Sequence, residues 1–354
     1  MLGVALLGCG RIAKRHADLL SSGEIQGAYL ASVCDIDENR AKEFGKKYNV
    51  PYFVKLEEMM KECGGKIDIV SILTPSGMHA KNTLEVASYK KHIVVEKPMA
   101  LTLEDADKMI EACDRSGVRL FVVKQNRYNL PVQKLKEAME EGRFGKLVMG
   151  TIRVRWCRDD SYYAQDSWRG TWAMDGGVFT NQASHHIDLL EWMMGDVESV
   201  FAKSITALSH IEAEDTGVAI LKFKNGALGI IEATTATRPK DLEGSISILG
   251  EKGSVEIGGF AVNQIKHWQF SEIRKSDEEV MEKFSTNPPN VYGFGHKEYY
   301  LHVLDSIINN KKALVDGLEG RRSLELIVAM YESIETGKEV FLRFQPQKCR
   351  LGHL

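Results

Sequence analysis

At 354 residues the chain suits about two domains of the usual ~150 residues each, and its net charge of −3 is spread evenly, so it carries neither a basic nucleic-acid arm nor an acidic tail. Its six cysteines (9, 34, 63, 113, 157, 349) have no CxxC spacing and no accompanying His cluster, which favours a reduced, cytoplasmic protein over a disulfide or zinc scaffold and leaves no metal expected. No apolar run approaches the ~20 residues of a membrane span, and "LLGC" at 6–9 imitates a lipoprotein box without its basic residue or long apolar run, so it reads as strand and turn.

From residue 1 to 124, apolar β-branched runs alternate with helical segments. The runs are GVALLG (3–8), YLASVCD (29–35), IDIVSIL (67–73), HIVVEK (92–97) and RLFVVK (119–124). Strands apolar on both faces and separated by helices predict a parallel sheet covered on both sides, a doubly wound α/β domain over 1–124. After 124 the rhythm changes. A helix at 131–142 leads into long alternating runs at 146–156, 197–206, 215–236 and 243–259, with KNG (224–226) and GEKG (250–253) as hairpin turns. The expectation is a second, α+β domain over 125–354: an open-faced, mainly antiparallel sheet with a few helices on one face and the other free to meet another subunit. The charged stretch 271–292, ending near Pro288-Pro289, reads as a surface excursion before closing helices at 296–309 and 319–337.

Gly8-x-Gly10-x-x-Ala13 falls between the first strand and a helix. Glycine there permits a tight turn and close approach of backbone to a pyrophosphate, to which the helix N-terminus offers N–H groups. Asp35 closes the second strand. A carboxylate at that point accepts hydrogen bonds from both ribose hydroxyls and repels a 2′-phosphate, favouring NAD over NADP. The alternative is that Asp35 and Asp37 cap the next helix. The stretch Thr74-Pro75-Ser-Gly-Met-His79 also lies at a carboxyl edge, where ligands bind in such sheets, although His79 reads equally as a solvent-facing loop residue. The run 92–95 ends in Glu96-Lys97-Pro98, a charged pair that is expensive to half-bury.

Together with "GG" at 176–177 leading to "NQASHHIDLL", these motifs resemble the glucose-fructose oxidoreductase and inositol dehydrogenase (Gfo/Idh/MocA) superfamily over nearly the whole chain. The resemblance implies an N-terminal Rossmann domain carrying NAD(P), an open-faced sheet domain that completes the active site and forms a homo-oligomer (dimer or tetramer), and a catalytic Lys97. It also implies a Lys97-Pro98 bond that is commonly cis. Further cofactor contacts are implied for Gly8, Gly10, Arg11, Ile12, Asp35, Thr74, Pro75, His79, Glu96 at the nicotinamide ribose, Gln125, Trp168 and Arg169. The family's Asp-x-x-x-His-x-x-Asp motif appears here as Asn181-x-x-x-His185-x-x-Asp188, an amide where inositol dehydrogenases carry an aspartate.

A narrower resemblance, over 117–127, 168–172, 176–195, 214–218, 242–259 and 291–296, is to bacterial UDP-N-acetyl-2-amino-2-deoxy-D-glucuronate 3-dehydrogenases, which share the asparagine variant. It implies a UDP-sugar substrate, oxidation at C3, and a link to a PLP aminotransferase in O-antigen synthesis. Lys97 then polarises the reacting oxygen, with a pKa lowered if the site is desolvated, and His185 takes the proton. His186, on another helix face, reads as structural. Substrate contacts fall to Lys97, Arg127, Arg169, Asn181, His185 and Lys240, with Arg155, Arg158 and Arg238 as further cations for a diphosphate and carboxylate. Tyr162-Tyr163 either stack on uracil or simply pack. The rival readings are a free-polyol dehydrogenase of inositol type, an NAD-binding regulator, and a hydride-borrowing glycosidase.

Overall fold

The computed structural model describes residues 1–285 and 295–342; Pro288-Pro289, most of the 291–296 stretch and Cys349 lie outside those residues. The first sheet is built from β1 (Leu2–Leu7), β2 (Ala28–Cys34), β3 (Tyr52–Phe53), β4 (Ile69–Ile72), β5 (His92–Val95) and β6 (Leu120–Val122). Its order is β3-β2-β1-β4-β5-β6 and every pairing is parallel. This is the doubly wound order whose crevice at the β1/β4 switch point takes dinucleotides. The crossovers are α1 (Arg11–Ser21), α2 (Glu38–Tyr48), α3 (Leu56–Cys63), α4 (His79–Ser88) and α5 (Leu103–Ser116). They cover both faces, so β1, β4 and β5 are buried almost end to end, as their uninterrupted apolar runs require.

Then follow α6 (Leu130–Glu140), β7 (Leu147–Arg155), α7 (Asp160–Tyr163), α8 (Ser184–Met194), β8 (Val197–Ile205), β9 (Thr216–Phe223), β10 (Leu228–Thr234), β11 (Glu243–Gly250), β12 (Gly253–Gly258), β13 (Gln264–Phe270), α9 (Asp277–Lys283), α10 (Gly295–Ile308), α11 (Gly317–Thr336) and β14 (Val340–Phe341). The second sheet runs β13-β12-β11-β7-β10-β9-β8-β14. The Lys224-Asn225-Gly226 turn joins β9 and β10, with Gly226 at φ +86°. Period-2 burial in β9 and β10 puts one face on the core and one outward.

The second sheet is mainly antiparallel, as the sequence reading expects, with β7 and β10 paired in parallel at its centre; an alternating run fixes a strand's faces but not its neighbour's direction. The described part of the charged stretch, 271–285, is largely exposed, and α9 folds within it. There Arg143 grips Asp277 with Nη1 at 2.8 Å and Nη2 at 2.7 Å.

Although α10 comes after the whole second sheet in the chain, it packs on the first. Its Tyr299, Tyr300, Val303 and Leu304 join Val4, Leu6 and Phe121 in one cluster. Each such buried side chain contributes about 1.5–3 kcal/mol, which ties the end of the chain to the nucleotide-binding sheet. Meanwhile α8 and α11 cover the inner face of the second sheet, where Ile187, Leu190, Met194 and Leu326 meet Ile152, Val154 and Leu221.

Candidate active site

At the end of β1, Gly8 adopts φ +103°, and a Cβ there would lie 2.8 Å from the Leu73 carbonyl. A side chain would therefore collide with the strand next door. Gly10 caps α1 in an extended conformation with no side-chain cap, and a Cβ on it would meet nothing within 4 Å. The first turn of α1 contains no acidic residue to repel an anion, so this helix end suits a pyrophosphate. Asp35 settles the capping question. Its Oδ2 accepts the Cys9 N–H at 2.6 Å and its Oδ1 the Asp37 N–H at 2.8 Å, while Asp37 itself caps α2. The carboxylate thus shapes the glycine loop from the position where ribose hydroxyls of NAD fit. Ile12 is half-buried and Arg11 is exposed. Arg11 donates to Gln165 at 2.9 Å, linking α1 to the loop that carries Trp168 and Arg169.

Lys97 follows β5 directly, and the Lys97-Pro98 bond is cis. Its Nζ donates to the Asn181 carbonyl at 2.6 Å and to Asn181 Oδ1 at 3.2 Å, across 84 residues of sequence. Burial is the main cause lowering the pKa of Lys97, with Glu96 and Asp175 opposing it. His185 is the second residue of α8, and its Nε2 lies 3.1 Å from Gln125 Nε2. Burial first, then the charges of Lys97 and Lys124, holds its imidazole well below the usual histidine range. With the Gln125 amide donating to Nε2, the imidazole proton sits on Nδ1. That buried atom has no hydrogen-bond partner among the described residues.

Several expected contacts are not what the fold makes of these residues. Arg127 is 3% exposed and locked onto Asp188 by two 2.8 Å bonds and onto Glu319 by one of 3.1 Å, so it ties α8 to α11 and has no arm for a substrate. His79 is 1% exposed, with Nδ1 2.8 Å from the Pro98 carbonyl and Nε2 2.9 Å from that of Thr74. It joins the turn after Lys97 to the Thr74-Pro75 turn and is neither solvent-facing nor open to a cofactor. Glu96 is turned back toward α1, where Oε1 meets His16 Nε2 at 3.0 Å, and its Oε2 accepts the Lys97 N–H at 3.1 Å. Lys240 is exposed just beyond a cis Arg238-Pro239 bond. Arg155 is paired with Glu232 and Glu243, and Arg158 with Asp241. His186 is buried against Trp156 and Gly244, away from the chemistry.

The structure also adds residues that sequence reasoning missed. A π-helical turn, Val178–Gln182, carries Asn181 and leads directly into His185. Glu214 holds this turn by accepting the Phe179 N–H at 3.0 Å and the Tyr331 hydroxyl at 2.9 Å, and burial pushes its carboxyl up to about 7. Asp175 accepts the Gly170 N–H at 2.8 Å and also the Asn181 side-chain amide. The only sequence signal for it was an acidic residue directly before Gly176-Gly177.

Residues 2–124 match the NAD-binding Rossmann-fold domain of the oxidoreductase family Gfo/Idh/MocA, and residues 136–342 match its C-terminal alpha/beta domain. The chain belongs to this family. Among solved structures it is 43% identical to the WlbA dehydrogenase of Bordetella pertussis, with TM-score 0.92 over 97% of this chain and 98% of that one. It is 44% identical to the WlbA dehydrogenase of Chromobacterium violaceum, with TM-score 0.91 over 98% and 97%. Both were crystallised with NADH and UDP-GlcNAcA. Among curated proteins it is 29% identical to the myo-inositol 2-dehydrogenase of Thermotoga maritima, over 96% of this chain and 98% of that one.

As an NAD-dependent dehydrogenase of this family, the protein acts on a CH–OH group. Bound NAD supplies a hydride acceptor. The chain's own task is to hold the carbinol and remove its hydroxyl proton. The sequence reading gives this proton to His185 and leaves Lys97 to polarise the oxygen; with the pKa of both groups lowered by burial, the Lys97 amine can take the proton at Nζ instead. A neutral histidine can donate a hydrogen bond from Nδ1 to the same oxygen. The loop at 159–170 shields the α1 N-terminus from above through the Arg11–Gln165 bond and an Arg40–Asp166 approach of 3.8 Å.

Proposed function

We propose that the protein oxidises the C3 hydroxyl of UDP-N-acetyl-2-amino-2-deoxy-D-glucuronate to the 3-keto sugar, passing the hydride to NAD. The observation that carries this reading is a convergence of cations. The guanidinium groups of Arg11 and Arg169 lie 5.6 and 4.8 Å from the Tyr162 ring centre, with Arg158, already paired with Asp241, at 5.3 Å. The Tyr162 hydroxyl is in turn bonded to Gln182, at 3.0 Å, beside Asn181. A free polyol needs no such charge, whereas a UDP-uronic acid brings a diphosphate and a carboxylate. The 43–44% identity to two dehydrogenases crystallised with UDP-GlcNAcA, against 29% to the inositol enzyme, supports the same substrate. Lys97, Asn181, His185 and Arg169 are the residues assigned to the sugar, and a PLP aminotransferase is the class of enzyme suited to consume a 3-keto product. The five described cysteines are unpaired, which agrees with a cytoplasmic setting.

The outward face of the second sheet supports a homo-oligomer. Phe201, Ile220 and Ile230 lie side by side across β8, β9 and β10, and Val218 and Leu228 flank them, all exposed. A contiguous apolar patch of this kind marks an interaction surface. Light scattering that gave a monomer would overturn the oligomer.

Purified protein with NAD and the UDP-sugar should form NADH, or release 3-keto sugar when a 2-keto acid is added to reoxidise bound cofactor. Turnover of inositol with none of the UDP-sugar would transfer the assignment to the polyol class.

A further inference from the structure

We infer that Asp175 is a positioning residue and the counter-anion of Lys97, acting through the side-chain amide of Asn181. The inference rests on Lys97 being the group that takes the substrate proton. Asp175 is 2% exposed, and both of its oxygens accept from N–H groups, Oδ2 from Gly170 at 2.8 Å and Oδ1 from Asn181 Nδ2. A carboxylate only accepts, so it forces the NH2 end of the Asn181 amide toward itself and turns Oδ1 toward Lys97. That orientation gives Lys97 Nζ two acceptors on one residue, Oδ1 at 3.2 Å and the main-chain oxygen at 2.6 Å.

The consequence is chemical. A neutral amine has two N–H bonds and one lone pair. With both N–H bonds committed to Asn181, the lone pair is what remains for the substrate. As the carbinol C–H pair leaves as hydride for the nicotinamide, the O–H bond breaks, an N–H bond forms on Lys97, and the oxygen keeps its electrons to become the ketone. The new ammonium then needs an anion. The charged groups facing Lys97 are Glu96 just past its own strand, Asp175, Lys124 after β6 and Arg169 on the covering loop, with the neutral His185 on α8. Glu96, bonded to His16 at 3.0 Å, favours the ammonium from the strand side, Asp175 favours it from the Asn181 side, and Arg169 is paired with Asp166 at 3.0 Å. Asp175 has only N–H donors as bonded partners, so its charge remains for Lys97. A carboxylate at 181 itself would touch the amine and hold it protonated. An amide at 181 backed by Asp175 keeps the anion one residue away, so the lysine can still lose its proton.

The test is to titrate the Lys97 amine by competitive acylation of the full-length protein with NAD bound, and to record kcat and the pH profile of kcat/KM. The variants are Asp175→Asn, Asn181→Asp and the double substitution. In Asp175→Asn the Lys97 pKa should fall by roughly one unit, the acid limb of kcat/KM should move down with it, and kcat should drop about tenfold or more as the amide is freed to turn. Asn181→Asp should raise the Lys97 pKa. The double variant, which moves the carboxylate to 181, should recover about tenfold in kcat over Asp175→Asn alone, because the two sites act as one unit. Unchanged Lys97 titration in Asp175→Asn, with activity lost only in step with melting temperature and no recovery in the double variant, would reduce Asp175 to a brace for Gly170 and overturn the inference. Should Asp175→Asn fail to fold, an unmoved Lys97 pKa in Asn181→Asp overturns it equally. The acylation readout needs no sugar, so a wrong substrate assignment leaves it intact.

Discussion

Around Arg127 every charge meets its opposite directly: the guanidinium forks onto Asp188, reaches Glu319, and Lys124 approaches the same Asp188 at 3.7 Å. Around Lys97, which is only half-buried, the Asp175 carboxylate is separated from the amine by the Asn181 amide. Nδ1 of His185 and Oε1 of Gln125 have no partner among the described residues. The two clusters are neighbours, since Gln125 precedes Arg127 by two positions and His185 precedes Asp188 by three. A saturated cluster is a joint, because breaking it leaves a buried charge uncompensated. An unsaturated cluster stores polarity for a ligand to complete.

The sharpest way to break this contrast is to exchange the penalties. Lys97→Ala should cost about 10³-fold in kcat, within the range expected for one acid–base group, while NAD affinity and denaturation midpoint stay near the parent values; activity within a few-fold of the parent would make Lys97 structural. Arg127→Ala should do the reverse. Leaving Asp188 buried and unpaired costs about 3–5 kcal/mol of stability, measurable by denaturant unfolding, whereas the fraction that remains folded should keep a KM for the sugar close to the parent's. A KM raised many-fold would return Arg127 to the substrate site.

The smallest effect belongs to His186, beside the active histidine but outside both clusters. Burial lowers its pKa from the ordinary 6.5 to about 4, so the unfolded chain binds its proton first. Its contribution to stability is intact above pH 6.5 and is lost as the pH falls toward 4, at roughly 1.4 kcal/mol per pH unit. Melting curves of His186→Leu should therefore match the parent closely at pH 8 and gain on it at pH 5. Equal loss in both proteins would show that His186 plays no part in the fold's acid sensitivity.

What the sequence alone determined is whatever depends on short-range pattern. The apolar runs at 3–8, 67–73 and 92–95 read as strands buried on both faces, Gly8 as a turn too tight for a side chain, and Lys97 just past an apolar run as a charge presented at the sheet edge. Those readings rest on backbone geometry within a few residues. The tertiary structure alone decided where each polar group spends its bonding capacity. Arg127 was a plausible phosphate ligand until Asp188, 61 residues on, was seen to claim it. His79 was open to solvent or cofactor until the carbonyls of Thr74 and Pro98 took both ring nitrogens. Asp175 carried no motif at all until Asn181 turned its amide upon it. A charged side chain declares its chemistry in sequence, but its partner is set by packing between distant segments, and in a buried site the partner determines whether that chemistry is spent on the fold or kept for the substrate.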